Sequence, residues 1–465
     1  GLGDVYKRQL VRPMDDIAQK RAERARRKAA RANAPPEEAP EMDTAGSICK
    51  RVWVPVPLSG ASTGRRVRVV SWNMLAQCLV RRDLFPGSDC LKVKDRLPGM
   101  AAELTAYDFD LGCFQEVDMI EEHGRVLSRA GYAYEYERGY AAKKHGVMIA
   151  WRIRSDSRTC FNSPAARHVV RYDDAAPWGG TVQGTSSTRI TRNVALLLAL
   201  PFADGNGGVI VATTHLFWHP RYAYERVRQA AVLVQEIEAF REGTAWADWP
   251  VVLGGDFNDQ PHSPTYTVLT GKGFTYADTL AQELEPSRIV HTSVDEARGL
   301  RTVHYAATVT EGGDEDRVLG RYRAAQDGEL LTVAQLLPFV ALRRRGSRPT
   351  CFQSVYAEKH VFVEGSPYFK DRGTAPERYD QSSLPLSSDP RQTSSYEPKW
   401  TLYSTLFHLT LDYILVAPRC DDEGPSYPRI TALLRMHPDD ALHPGVPRCG
   451  MCSSDHVMIG AELEL

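Results

Sequence analysis

The sequence predicts an α/β fold. Short apolar segments of strand length alternate with helical patterns along most of the chain. Hydrophobic residues make up 43% of its 465 positions, enough for a large core. Six of the apolar segments carry a polar residue able to do chemistry at or next to one end. Eight segments read as buried strands: 67–70, 111–114, 146–151, 194–200, 209–213, 250–253, 411–416 and 457–463. Helical patterns fit 95–107 and 118–130. The stretch 222–242 reads as a long amphipathic helix with Val227, Ala230, Ala231, Val234 and Ile237 on one face.

Two insertions and a tail interrupt this alternation. Residues 1–13 precede Met14 and read as a non-native leader. Residues 14–47 follow as a disordered arm and linker. Seven bases, Lys20, Arg21, Arg24, Arg26, Arg27, Lys28 and Arg31, give way to a Pro-rich acidic stretch with Glu37, Glu38 and Glu41. The basic run suits a nuclear-targeting or RNA-contacting arm, or simply a solvated tail. The catalytic part is expected over 48–465, with insertions near 285–350 and 365–398. The first insertion holds an acidic patch at 311–316 and a helical pattern over 330–342. Gly328 does not mark a calcium loop, because Arg323, Ala325 and Ala334 occupy ligand positions. The second is rich in Ser, Pro, Asp and Arg and reads as a disordered surface loop.

Charge and cysteines narrow the class. Fifty-seven Lys+Arg against 58 Asp+Glu leave a net charge of −1, so no global basic field marks a nucleic-acid binder. Any polyanion site must be local. Nine cysteines scattered through apolar runs do not form a disulfide framework, which favours the cytosol or nucleus over secretion. No apolar run approaches membrane-spanning length.

The informative feature is the set of residues at the strand ends. Asn73 follows one strand and Glu116 another. His215 ends a third. Asp256 and Asn258 follow Gly254 and Gly255, glycines that would let backbone approach a ligand. Asp412 begins a strand, and Asp455 and His456 precede the last one. Strand ends at one edge of a packed sheet are where α/β folds collect a site. Each signal alone is weak: Asp after Gly-Gly is usually a turn former, Glu116 suits a helix cap, and Asn73 suits a satisfied turn amide. Together they supply the acids, amides and histidines of metal-assisted phosphoester chemistry.

In order, SWNML, FQEVD, TTHL, GGDFND, LDYI and SDH resemble the signature blocks of the endonuclease/exonuclease/phosphatase (DNase I-like) superfamily. Within it, QEVD, THLFWHP and the segment from Glu397-Pro398-Lys399-Trp400 to Thr410-Leu411-Asp412-Tyr413 resemble the deadenylase branch, which includes nocturnin and the carbon-catabolite-repression nuclease. HLFWHPRYAYERVRQ is most similar to the fungal Ngl-type RNA exonucleases. The resemblance covers roughly 50–465. It implies a four-layer α/β sandwich, two stacked sheets flanked by helices, with the site at one end.

The resemblance also implies roles. Glu116 is the first ligand of Mg²⁺, for which Mn²⁺ could substitute. Asn73 helps directly or through water, and Asp455 holds a second ion or water. Asp256 orients or deprotonates the attacking water. Asn258, taken as lying on the same side of an extended segment, donates to the nucleophile or phosphate. His456 with Asp412 forms a His–carboxylate pair facing the pentacovalent phosphate, and His215 binds a phosphate oxygen. Arg221 and Trp218 are candidates for a further phosphate contact and for base or ribose packing. The implied activity is 3′→5′ exoribonuclease action on single-stranded RNA, in poly(A) shortening or rRNA 3′-end trimming. The alternatives are a 2′-phosphatase on a small dinucleotide and a non-catalytic RNA-binding adaptor. No leucine-repeat docking segment is evident, so a free-standing monomer is expected.

Other signals carry less. Cys449 and Cys452 form a CxxC without a second pair, which argues against zinc and leaves ordinary loop cysteines or an oxidation-sensitive pair. Tyr132, Tyr134, Tyr136 and Tyr140 with Lys143 and Lys144 could stack on a single strand, but core packing is the default reading.

Overall fold

Alternation of side chains along the apolar segments builds two sheets whose facing sides form one core. The computed structural model describes residues 48–56, 64–174, 187–271, 277–300, 309–310, 318–319, 322–342, 351–357, 397–421 and 424–465. Residues 1–47, the acidic patch 311–316 and 358–396, which includes nearly all of the second insertion, lie outside the described residues.

The first sheet has seven strands: β1 (Trp53–Pro55), β2 (Arg66–Asn73), β3 (Leu111–Val117), β4 (Tyr132–Glu137), β5 (Gly146–Arg152), β12 (Arg429–Leu434) and β13 (Ile459–Glu464), in the order β1-β12-β13-β2-β3-β5-β4. The second has six: β6 (Ala166–Arg171), β7 (Val194–Pro201), β8 (Gly208–His215), β9 (Val251–Asp256), β10 (Gln353–Ser354) and β11 (Asp412–Ala417), in the order β10-β11-β9-β8-β7-β6. All eight expected strands are present. β1, β4, β6, β10 and β12 lie outside the expected eight.

Period-two side chains of the second sheet serve two cores. Leu196, Leu198, Leu200, Val209, Val211, Val252, Ile414 and Val416 face the first sheet. Ala195, Leu197, Ile210, Ala212, Leu253 and Leu415 face outward onto Val227, Ala230, Ala231, Val234 and Ile237 of the long helix α3 (Ala223–Arg241). Helices α1 (Val93–Ala106) and α2 (Ile120–Arg129) contribute Met100, Leu104 and Leu127 to the core of the first sheet. The result is a four-layer α/β sandwich.

Only two neighbouring strand pairs within these sheets are parallel, β2/β3 and β8/β9. A parallel pair requires a crossover, and α1 and α3 supply them. This topology brings the C-terminal ends of β2, β3, β8 and β9 to the site.

Two expectations change. The helix over 222–242 is not simply amphipathic. Its polar residues Glu225, Arg226, Arg228 and Gln229 are also buried. Glu225 is satisfied there by the Thr188 N–H and hydroxyl and by a bidentate Arg228. The helix expected over 330–342 is α-helical only over Val333–Leu336, opened by a Thr332/Gln335 capping box, and then tightens to 3₁₀ over Leu337–Val340 where Pro338 removes a donor. No helix among the described residues is long and apolar enough to cross a membrane.

Candidate active site

Register delivers the site. Parallel pairing places His215 directly beside Asp256, and antiparallel pairing places Asp412 on the other side of Asp256. In the facing sheet Asn73 pairs with Gln115, so Glu116 lies one residue beyond. Between Phe114 and Val117 the β3–β5 ladder is interrupted by a bulge, and Glu116 sits there at φ +54°. A left-handed backbone at a non-glycine residue is unfavourable, and here it accompanies a carboxylate aimed at the site.

Gly254 has a packing role. A Cβ at Gly254 would lie 2.8 Å from Cys113 Cβ and 3.3 Å from Ser71 Cβ, so this glycine lets the two sheets meet. A Cβ at Gly255 would lie 2.4 Å from the Thr214 carbonyl oxygen. Both glycines serve sheet packing.

Asn73 ties the two sheets together across the site. Its side-chain nitrogen donates to Glu116 Oε1 at 3.1 Å and to Asp256 Oδ2 at 2.9 Å, while its oxygen accepts from the Leu75 N–H. The other Glu116 oxygen accepts from the Ala76 N–H. Buried Arg96 fixes this loop by donating to the Met74 and Leu75 carbonyls, and it reaches Ser453 O before the last strand. The Ser454 hydroxyl donates to the Asn73 carbonyl, and Trp72 Nε1 donates to the His456 carbonyl.

His456 Nδ1 lies 2.8 Å from Asp412 Oδ2 and presents Nε2 3.8 Å from Asp256 Oδ2. His215 Nε2 lies 3.6 Å from the same Asp256 oxygen and 4.0 Å from Glu116 Oε1. Asn258 is not extended as expected. At φ +49° its N–H donates to Asp256 Oδ1, and its side-chain nitrogen donates to the Leu216 carbonyl.

The environment separates the protonation states. Burial alone would raise Glu116, but the His215 and His145 rings, the Ala76 N–H and the Asn73 amide outweigh it and hold this carboxyl at about 2. Burial pushes His215 down to about 3 against the pull of Glu116. Asp256 is raised by burial first and by Asp412 second. Burial opposes protonation of His456, but Asp412 and then Asp256 outweigh it and push it well above the ordinary histidine value.

These residues can hold a hard divalent cation. Glu116 is a half-buried ionised oxygen donor, and Asp455 interacts electrostatically with both Glu116 and His456. Among the described residues the groups whose ligand atoms converge within 4.8 Å are Asp256, Asp412 and His456. Nδ1 of His456 is already committed to Asp412, so this trio suits proton handling, and the ionised carboxylate on the Glu116 side suits a cation better.

Thr401 was not identified from sequence. Its hydroxyl donates to Asp412 Oδ2 at 2.6 Å and accepts from the Leu411 and Asp412 N–H groups. Leu402 then bridges to His456. The only sequence signal was its place in the segment after Glu397. His145 was also missed. It is buried, with its ring centroid 6.3 Å from that of His215.

The weaker candidates separate. Arg221 is exposed and stacks over Tyr322 at 4.9 Å. Trp218 is half-buried beside Phe217 and His219. Arg226 is buried and donates to the His219 carbonyl. The hydroxyls of Tyr132 and Tyr136 donate to the carbonyls of Phe109 and Val117, which makes them packing residues. Cys452 is buried with its sulfur against the His456 carbonyl, whereas Cys449 lies against Asp89.

Comparison with known proteins places this site in context. The chain matches the Endonuclease/Exonuclease/phosphatase family across residues 70–456. A probable RNA exonuclease of Schizosaccharomyces pombe is 32% identical over 280 residues, 58% of this chain and 52% of that protein. RNA exonuclease NGL2 of Saccharomyces cerevisiae is 27% identical over 455 residues, 87% of this chain and 79% of that protein. The chain thus spans about half the length of the fission-yeast relative. The crystal structure of ANGEL2, a 2′,3′-cyclic phosphatase, shares the fold with a TM-score of 0.54 at 20% identity, covering 90% of this chain and 99% of that one.

Proposed function

The chain belongs to the endonuclease/exonuclease/phosphatase family, and on that premise we propose that it is a magnesium-dependent 3′→5′ exoribonuclease. It hydrolyses phosphodiesters of single-stranded RNA to 5′-nucleotides, in poly(A) shortening or rRNA 3′-end trimming. The observation that carries this reading is the meeting of Glu116, Asn73 and Asp256 with His215 and the Asp412–His456 pair at one end of the stacked sheets. The names of the two yeast relatives favour RNA among phosphoesters.

Each residue has a task in this reading. Asp256, raised toward neutrality, accepts the proton of the attacking water. Asn73 fixes the spacing of Asp256 and Glu116. The His456 imidazolium, oriented by Asp412, faces the charge that grows on the phosphate. His215 donates a hydrogen bond as a neutral ring. Asn258 fixes Asp256 through its backbone and holds the Leu216 carbonyl. When bound, Mg²⁺ or Mn²⁺ held by Glu116, with Asn73 and Asp455 beside it, supplies Lewis-acid charge for the phosphoryl oxygens. Trp218 and Arg221 contact the RNA beyond the scissile phosphate.

The test offers purified full chain with Mg²⁺ a panel of A-tailed RNA, unstructured non-A RNA, a 2′-phosphorylated dinucleotide and abasic duplex DNA. Shortening of the RNAs, lost in Glu116→Ala and Asp256→Ala, is expected. Phosphate release from the dinucleotide with RNA untouched would make the protein a small-molecule phosphatase. RNA binding without turnover of any substrate would make it an adaptor.

A further inference from the structure

Beside the candidate site, sharing the His215 side chain with it, the structure holds a half-open cavity lined by Arg138, Lys143, His145 and Arg192 together with Asn193 and His215. We propose that this cavity is a second phosphate subsite, which takes the phosphate of the nucleotide next to the one released. The proposal rests on the phosphodiesterase reading above and extends it to a neighbouring unit of the substrate.

Three observations carry it. First, the charges are of one sign. Two arginines and a lysine line the cavity beside the rings of His145 and the neutral His215, and no acidic side chain among the described residues lines it. A concave space lined by one sign of charge concentrates counter-ions of the other sign. In a chain of net charge −1 this is a local concentration, of the kind the composition required of any polyanion site.

Second, the cavity is built, not a chance gathering of surface side chains. Arg192 stands at φ +56°, and its N–H, the Thr191 N–H and the Thr191 hydroxyl all donate to Asp173. That carboxylate fixes the turn presenting Arg192. Next to it, the side chain of buried Asn193 donates to the His215 carbonyl at 2.6 Å, tying the cavity wall to the catalytic strand end. Arg138 and Lys143 come from the connection between β4 and β5, and His145 from the residue before β5.

Third, the cavity communicates with the reacting centre through shared groups. His215 lines the cavity and also stands 3.6 Å from Asp256. The His145 ring, also in the lining, has its centroid 6.3 Å from that of His215. The His215 side chain is thus common to the cavity and the reacting centre, where the neighbouring linkage of a bound strand would pass. Lys143 was grouped with the nearby tyrosines in the sequence. The structure separates them, packing Tyr132 and Tyr136 by their hydroxyls and placing Lys143 at the cavity.

The test is binding of 5′-fluorescein-labelled A-tailed RNA to the full chain in chelator, where no turnover occurs, read by anisotropy. One RNA is all-phosphodiester. The other has an uncharged methylphosphonate at the linkage next to the 3′-terminal one. Wild type is expected to bind the methylphosphonate RNA about tenfold more weakly. Arg138→Gln/Lys143→Gln should lose about tenfold on native RNA and no longer distinguish the two RNAs, with a salt slope reduced by about 0.7 per lost contact. Arg129→Gln, an exposed charge elsewhere, should behave as wild type. The proposal is overturned if wild type shows no penalty, if the double variant keeps the full penalty, or if wild type binds neither the RNA nor a 2′-phosphorylated dinucleotide. The exoribonuclease reading fails separately: RNA held with this charge pattern but not shortened in Mg²⁺ supports the subsite and contradicts the activity. Displacement of labelled RNA by the dinucleotide, lost in the double variant, assigns the same subsite to the small molecule.

Discussion

His456 and Asp412 lie on different strands yet meet at 2.8 Å between Nδ1 and Oδ2, and the same carboxylate oxygen accepts the Thr401 hydroxyl. Asp412 fixes both the tautomer and the orientation of the ring. Asp412→Asn keeps the shape but cannot stabilise the imidazolium. It is expected to lower kcat by roughly 10²- to 10⁴-fold with the fold intact. Thr401→Val leaves two backbone N–H groups without their acceptor and should cost about 1–3 kcal/mol in urea unfolding, with a smaller kcat loss. Wild-type kcat in Asp412→Asn would remove the pair from the mechanism.

Gly254 makes the stacking of the sheets directly testable. In Gly254→Ala the new methyl would need to occupy space 2.8 Å from Cys113 Cβ. A loss of about 1–3 kcal/mol in chemical denaturation is expected. A companion Cys113→Ala should recover part of it, because that change leaves the Cβ but removes the adjacent sulfur. Unchanged stability would mean that the sheets separate here at no cost.

Acid should destabilise the protein through buried histidines that are not among the candidate site residues. Burial pushes His123 down to about 4 and His437 down to about 2. Both stay neutral in the folded state through mildly acid pH, while the unfolded chain takes up protons near 6.5. The unfolded state therefore binds more protons below that value. Stability is at full strength above about 6.5 and falls with decreasing pH, by up to ~1.4 kcal/mol per pH unit for each histidine. For His123 the loss ends near 4. Urea midpoints measured at about pH 7 and about pH 5 should show the drop, and His437→Gln should reduce it. Stability that rises on acidification would contradict this assignment.

Glu116 is expected to govern cation affinity. Mn²⁺ should raise the thermal midpoint of wild type through binding to the folded state, and Glu116→Gln should weaken that binding about 100-fold or more. An equal upshift in the variant would place the cation elsewhere.

Much of this was legible in sequence because the strands are apolar runs and the site residues stand at their ends. Asn73, Glu116, His215, Asp256, Asp412 and His456 all arrive at one place through strand register. What sequence did not carry depends on the third dimension. The bulge that aims Glu116 is a mismatch between strands, and Gly254 makes its contact across sheets rather than along the chain. Thr401 and His145 act through partners 11 and 70 positions away by residue number, with no local pattern to mark them. Nothing in GGDFND reveals the left-handed backbone of Asn258.

The most direct test of the central claim is a time course with 5′-end-labelled single-stranded RNA, wild-type chain and Mg²⁺. The account predicts a ladder descending one nucleotide at a time from the 3′ end, with 5′-nucleotides released and no ladder in Asp256→Ala. Full-length RNA persisting while wild type frees inorganic phosphate from small phosphoesters, or internal cuts in place of a ladder, would contradict it.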